Sequence, residues 1–136
     1  MTKMPIRDRP SSTSGGERGS ASIELVVLLP ALFTLLFLGL QGALYFYAQS
    51  VATAAAAEGA RTAAALNATS SLGAAAASDF AADVGTRALR EVSVDAARDQ
   101  TTATVTVSGA SVSVIPLWQP VIQRTVTVPV ERLTAP

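Results

Sequence analysis

The residue of this sequence best placed to do chemistry is a lone carboxylate at the start of an apolar run. Glu24 is followed by LVVLLPALFTLLF, and no charged residue occurs between Leu25 and Ala57. An ionisable side chain within a membrane costs about 2.5–3.5 kcal/mol on insertion scales. The presence of a carboxylate at this position therefore predicts that its charge has a function.

Other kinds of chemistry are poorly represented in the sequence. The chain has no cysteine and no histidine, which excludes a disulfide framework and a thiolate nucleophile and removes the side chain that titrates near neutral pH. Its formal net charge is zero, so no basic field predicts a nucleic-acid partner. We also find no nucleotide-binding loop, metal-ligand cluster or catalytic triad. These observations argue against an enzyme, a metal site and a cofactor.

The charges that are present are unevenly distributed along the chain. Residues 1–19 contain four basic residues against two acidic ones, and the segment is rich in Ser, Gly and Pro. This composition predicts a disordered leader. Residues 23–47 are long enough to cross a hydrocarbon core of about 30 Å as a helix. Because the basic residues precede the span, the positive-inside rule places the N-terminus in the cytoplasm and the C-terminal part outside.

Within the predicted membrane helix, residues 20–47, three features bear on helix packing. Leu25 begins the uncharged run, and Pro30 is tolerated because a membrane helix accommodates proline better than a soluble one. Gly39 and Ala43 form a pair of small residues four positions apart, a weak signal for close approach of another helix.

The remaining sequence predicts a small α+β domain. Residues 48–66 are rich in alanine and should extend the membrane helix. Residues 67–136 should form the outer domain. Apolar spacing predicts a short helix over 78–92, with Ser78 or Asp79 as its cap. Alternation of valine with threonine or serine predicts three antiparallel strands over 101–108, 110–116 and 122–131, with a turn at Ser108-Gly109. Pro129 places the last strand at an edge, and the alanine-rich helix should cover one face of the sheet.

Several interpretations of the apolar run compete. A cleaved secretory signal is one, since Ala48-Gln49-Ser50 has small residues at suitable spacing, although the apolar region is too long. A plain anchor carrying an extracytoplasmic binding domain is another. In that case Trp118 could be a binding aromatic, although a plug over a small core is the more common role for a lone tryptophan.

A third interpretation rests on the order of the N-terminal residues. A basic leader ends in Glu17-Arg18-Gly19, Ser20 follows, and Glu24 is the fifth residue after Gly19. This pattern resembles the class III signal sequence of type IV pilins and pseudopilins. The resemblance implies that a prepilin peptidase removes residues 1–19 by cutting between Gly19 and Ser20. It also implies that Glu24 neutralises the new amine of a neighbouring subunit and so sets the helix register.

Within that group, ERGSASIELVVLLPALFTLLF and the later Gly59-Ala60-Arg61 resemble the TadE-like minor pseudopilins of the tight-adherence (Flp) pilus. The resemblance implies a pilin-like fold and a structural subunit of the cytoplasmic (inner) membrane. The implied partners are the prepilin peptidase, a sister TadF-like pseudopilin, the major Flp pilin, membrane platform proteins and the lipid bilayer. TadF- and TadG-like proteins share the N-terminal pattern and remain alternatives.

Overall fold

The long apolar segment and the alanine-rich segment after it form one continuous helix. The computed structural model describes residues 1–2, 4–5 and 16–133, without the side chains of residues 16–18, 20 and 21. Helix α1 spans Gly16–Ala64, and the chain divides into two compact units, Met1–Leu36 and Phe37–Pro136, to both of which α1 contributes. The predicted leader of residues 1–19 is thus helical from Gly16, while residues 3 and 6–15 lie outside the described part.

Helix α1 ends where its last carbonyl groups find partners from other parts of the chain. The Glu131 N–H donates to the Ala64 carbonyl at 2.9 Å, and the Arg98 guanidinium donates to the Ala65 carbonyl at 3.3 Å. A cation near a helix C-terminus is also favoured by the helix dipole. The chain then turns at Asn67, whose φ of 61° is a left-handed conformation that asparagine tolerates.

The second helix does not lie where the apolar spacing predicted it. Helix α2 spans Ser70–Gly85, with Thr69 as its N-cap accepting from the Leu72 N–H at 3.3 Å. The prediction of a helix over 78–92 capped by Ser78 or Asp79 is wrong at both ends. Alanines at 74–77 favour helix before that cap, and the residues after Ala88 gain more by pairing in a sheet.

The sheet has the predicted number of strands, but their positions differ. The strands β1 (Leu89–Arg98), β2 (Thr102–Ser111) and β3 (Val121–Pro129) form an antiparallel meander in the order β1-β2-β3. The predicted turn at Ser108-Gly109 is wrong, because both residues lie inside the single strand β2. Most of the predicted strand 101–108 and the start of the predicted strand 110–116 belong to β2, while residues 112–116 are not in a strand. Gly109 is needed inside β2 because a Cβ there would lie 3.0 Å from the Arg90 carbonyl oxygen, beside the irregular pairing between Arg90 and Ser93. Pro129 does end an edge strand, as predicted.

The β1–β2 turn is organised by one carboxylate. Asp99 Oδ1 accepts the backbone N–H groups of Thr102 at 2.7 Å and Thr101 at 2.6 Å. These hydrogen bonds favour the charged form, the Thr102 one most, and hold the pKa of Asp99 well below its usual range. The aspartate therefore acts as a turn residue.

The sheet packs one face on the alanine-rich half of α1, as predicted. Buried residues alternate along β2, where Ala103, Val105 and Val107 are fully buried. The opposite face carries threonine pairs, with Thr104 and Thr127 hydroxyls 2.9 Å apart and those of Thr106 and Thr125 2.8 Å apart. The fold class is thus α+β, with a long apolar N-terminal helix, a short helix and a three-stranded antiparallel sheet.

Helices α1 and α2 cross at two glycines with almost no space between their backbones. A Cβ built on Gly59 would lie 2.6 Å from the Gly73 carbonyl oxygen and 2.7 Å from the Ala77 Cβ. A Cβ on Gly73 would lie 2.6 Å from the Gly59 carbonyl oxygen and 2.5 Å from the Ala63 Cβ. The outer domain therefore depends on the absence of a side chain at both positions.

We expect Gly59→Ala to destabilise the outer domain although alanine is the better helix former. Alanine gains about 1 kcal/mol over glycine inside a helix, whereas overpacking against backbone costs about 1–3 kcal/mol. Pulse proteolysis of the detergent-solubilised full chain in urea should show a lower unfolding midpoint. Gly42→Ala is the matched control, because nothing lies within 4 Å of a Cβ there. A midpoint raised equally by both substitutions would contradict the close crossing.

Candidate functional site

The predicted processing position lies in the first turn of α1 and is open to its surroundings. Gly19 is exposed, and nothing lies within 4 Å of a Cβ built on it. The Gly19–Ser20 bond is helical because α1 begins three residues before Gly19. The side chain of Ser20 lies outside the described part. Among the described residues there is therefore room for a Cβ at position 19.

Glu24 lies one helical turn after Ser20. Its side chain is exposed, and α1 continues unbroken through it. Residues four apart in a helix share a face and differ in height by about 6 Å. Gly19, Ser20 and Glu24 thus lie within two turns of one helix. Among the residues that the structure describes, the one ion pair joins Glu58 and Arg61 and does not involve Glu24.

The segment after Glu24 presents apolar side chains outward. Ile23 is 70% exposed, Val26 72% and Leu35 68%, although these are residue types that water-soluble proteins bury. The stretch Ser22–Ala64 contains a window of mean hydropathy 2.5 in which no residue is buried. Length and composition therefore make α1 a candidate membrane span. They fit a single-pass anchor.

The residues singled out within the span are all compatible with a helix surrounded by lipid or other helices. Leu25 is 60% exposed, and Pro30 lies inside α1 without ending it. The Thr34 hydroxyl donates to the Pro30 carbonyl at 2.8 Å. Gly39 and Ala43 are exposed, and nothing lies within 4 Å of a Cβ on Gly39. The pair is thus open for close helix packing, which the described residues neither supply nor block.

Two contacts of α1 were not expected from the sequence. Gln41 is 2% exposed, and its Oε1 accepts the Val114 N–H at 2.9 Å, with the Ser113 hydroxyl 3.0 Å away. Farther along, Gln49 Oε1 accepts from the Arg124 guanidinium of β3. The sequence held one sign of the first contact, the carboxamide of Gln41 within LGLQGAL. A polar side chain in an apolar run requires a hydrogen-bond partner when it is buried.

Trp118 is not the plug that the more common alternative predicted. It is 50% exposed and does not belong to the buried core beneath the sheet. It follows Leu117, which is fully exposed, in the loop between β2 and β3. Within the described residues, no group of three or more histidine, cysteine, aspartate or glutamate side chains could hold a metal ion.

One known family model matches most of helix α1. The family model described as TadE-like protein matches residues 19–61. No curated protein and no solved structure matches the chain. The match begins at Gly19 and ends at Arg61, before α2 and the sheet. It confirms the resemblance to TadE-like proteins over this segment, which is 43 of the 136 residues.

Proposed function

We propose that this chain, whose residues 19–61 are TadE-like, is a minor pilin or pseudopilin of a tight-adherence pilus, made as a membrane-anchored precursor. Prepilin peptidase would cut between Gly19 and Ser20 on the cytoplasmic side and remove the leader. The observation that carries the proposal is the start of the family match at Gly19, directly before the proposed bond and five residues before Glu24.

Local helix energetics favour cleavage at this bond. A protease takes its substrate backbone in an extended form, so the first turn of α1 must open. That turn contains Gly16 and Gly19 and lies at the end of the helix, where the first N–H groups have no partner within the helix and the turn frays. Gly19 also adopts extended and left-handed conformations more readily than other residues. The turn that must unwind is thus a weak part of the helix.

Cleavage would give Glu24 a partner. The new amine on Ser20 is positive and lies at the start of a helix that is otherwise apolar. In a bundle of staggered helices the Glu24 carboxylate of one subunit can reach the amine of a neighbour. The attraction is stronger in that low-dielectric setting than in water. Because an unpaired buried charge is costly, the pair would also select one axial register between subunits.

The chain would remain in the cytoplasmic (inner) membrane until assembly, with residues 1–19 inside and the outer domain outside. Residues 20–47 would span the bilayer, residues 48–66 would extend the helix, and residues 67–136 would complete the outer domain. Its partners would be the peptidase, a TadF-like sister subunit, the major Flp pilin and the membrane platform proteins. In the alternative of a TadF- or TadG-like role, the chain would belong to the same system but would be a different subunit of it.

The contacts of the outer domain argue against the alternative of a cleaved secretory signal. Cutting after Ser50 would remove Gln41, which hydrogen-bonds the β2–β3 loop, and Ala48, which is fully buried in the core. An unprocessed anchor carrying a binding domain keeps both contacts and is the second candidate. The exposed Trp118 is the observation that favours it.

Intact-mass measurement and N-terminal sequencing of the chain from its native membranes test the proposal. We expect a mature chain beginning SASIELVV. A chain that still carries residues 1–19 would leave the plain anchor. A chain beginning VATAAAA would indicate a secreted domain and would overturn both candidates.

A further inference from the structure

The loop between β2 and β3 exposes apolar side chains that its own fold leaves uncovered. Leu117 is fully exposed and Trp118 is 50% exposed, and beside the loop Val121, the first residue of β3, is 76% exposed. Leu117 also has a φ of 65°, a left-handed conformation that costs an ordinary side chain roughly 1–2 kcal/mol. In water, holding a leucine outward in such a conformation has no evident benefit. The loop therefore presents these side chains to a partner that is apolar.

The loop is fixed to α1 at the level of the apolar run. Gln41 Oε1 accepts the Val114 N–H, and the Ser113 hydroxyl lies beside the same oxygen. The loop is closed on itself by the Ser111 N–H, which donates to the Pro120 carbonyl at 2.9 Å, and by the Trp118 N–H, which donates to the Ile115 carbonyl at 3.4 Å. Its exposed tip cannot drift far from Gln41 without breaking these bonds.

Counting along the sequence places Gln41 near the end of the membrane span. A hydrocarbon core of about 30 Å takes about 20 helical residues. Starting from Leu25, the first residue after the charged Glu24, this count reaches about Leu44. Gln41 and the loop bonded to it therefore fall at the boundary between acyl chains and headgroups. Tryptophan is favoured at that boundary because it has an apolar body and a polar N–H. Leucine is among the apolar residues that interfacial segments bury there.

A positive charge lies on the same side of the domain. Arg90 of β1 lines a cavity of about 190 Å³ together with Ser113, Leu117 and Trp118. Arg90 is exposed, and the one ion pair among the described residues, Glu58 with Arg61, does not involve it. A guanidinium beside exposed apolar side chains matches the chemistry of a phospholipid, which offers a phosphate next to acyl chains.

We propose that residues 112–120 form an interfacial loop that docks on the bilayer leaflet at the C-terminal end of the span. Leu117 and Trp118 insert at the headgroup–acyl boundary, and Arg90 binds a lipid phosphate. Docking would fix the outer domain against the membrane while the chain awaits assembly. It requires only that α1 spans a bilayer. Processing at Gly19 can therefore fail while this proposal holds, and the reverse is equally possible.

Trp118 reports its own depth, because it is the only tryptophan in the chain. The full chain is reconstituted in phosphatidylcholine vesicles at high lipid excess. We expect its emission to lie at shorter wavelength than that of an exposed tryptophan. Lipids brominated near the headgroup end of the acyl chain should quench it more than lipids brominated near the terminal methyl group. Replacing part of the lipid by phosphatidylglycerol should increase the shallow quenching, and Arg90→Glu should remove that increase.

Leu117→Asp should move the emission to longer wavelength and abolish the shallow quenching, without emptying any core position. Leu72→Asp is the matched control, because Leu72 is also exposed and lies at the N-terminus of α2, where aspartate is favoured. It should leave both signals unchanged. Two results would overturn the proposal. One is full access of acrylamide to Trp118 without quenching by either lipid. The other is protection that is lost on dilution into more lipid, which would mean that a second copy covers the loop.

Discussion

Cells that produce the Gly19→Val variant should accumulate the precursor in their membranes with residues 1–19 still attached. Valine is β-branched and restricts the backbone. Its two methyl groups would also keep the active site of the peptidase away from the main chain at the bond to be cut. Immunoblotting and intact-mass measurement of the membrane fraction should show loss of nearly all of the mature form. Gly19→Ala should give an intermediate fraction, because alanine adds one methyl group and stabilises the helical turn that must open.

The surroundings of Gly19 help to interpret this variant. Among the described residues, nothing lies within 4 Å of a Cβ at Gly19, so a failure of processing would not stem from a contact of that Cβ with them. Gly39→Val is the matched control, since it makes the same change in the same helix at a position that is equally open. It should be processed normally. Normal processing of Gly19→Val would exclude a requirement for glycine at the predicted bond and would favour the plain anchor.

Glu24→Leu should leave membrane insertion and processing intact but prevent assembly. The substitution removes the acidic partner of the new Ser20 amine and leaves a positive charge unpaired in an apolar bundle. Breaking one side of a buried ion pair costs about 3–5 kcal/mol, and each 1.4 kcal/mol is about tenfold in association. Recovery of the chain with the pilus or with its sister subunit, by shearing or co-immunoprecipitation, should fall by on the order of a hundredfold or more.

Thr34→Val is the appropriate control for this second experiment. It also replaces an exposed polar side chain of the span by an apolar one, but the Thr34 hydroxyl donates to the Pro30 carbonyl of its own helix. It should assemble normally. Glu24→Asp should retain part of the assembly, because it keeps the charge and shortens its reach. If Glu24→Leu assembled as well as the unchanged chain, the Glu24 carboxylate would have no role in setting the register. It would then be an ordinary polar residue at the edge of the span.

The sequence by itself determined the parts of this protein that depend on local composition. An uncharged apolar run of sufficient length identifies a candidate span wherever it occurs, since the preference of leucine and valine for a non-aqueous setting needs no tertiary contact. The positions of Gly19 and Glu24 relative to that run carried the TadE-like resemblance, which the family match confirms over residues 19–61. Alanine content and alternating valines likewise indicated the helix extension and an antiparallel sheet.

Only the tertiary structure decided where the elements of the outer domain begin and end. The apolar spacing placed Leu89 on one face of a helix. Leu89 and Arg90 instead pair with Ser111 and Ala110 of β2, because the hydrogen bonds of a sheet depend on a partner distant in sequence. Gly59 is unfavourable in a helix by propensity alone, yet it is the point where α2 crosses α1. Gln41 could be recognised as polar in an apolar run, but its partners Ser113 and Val114 lie more than seventy residues away. Contacts of that kind follow from packing of the whole chain, and local sequence does not encode them.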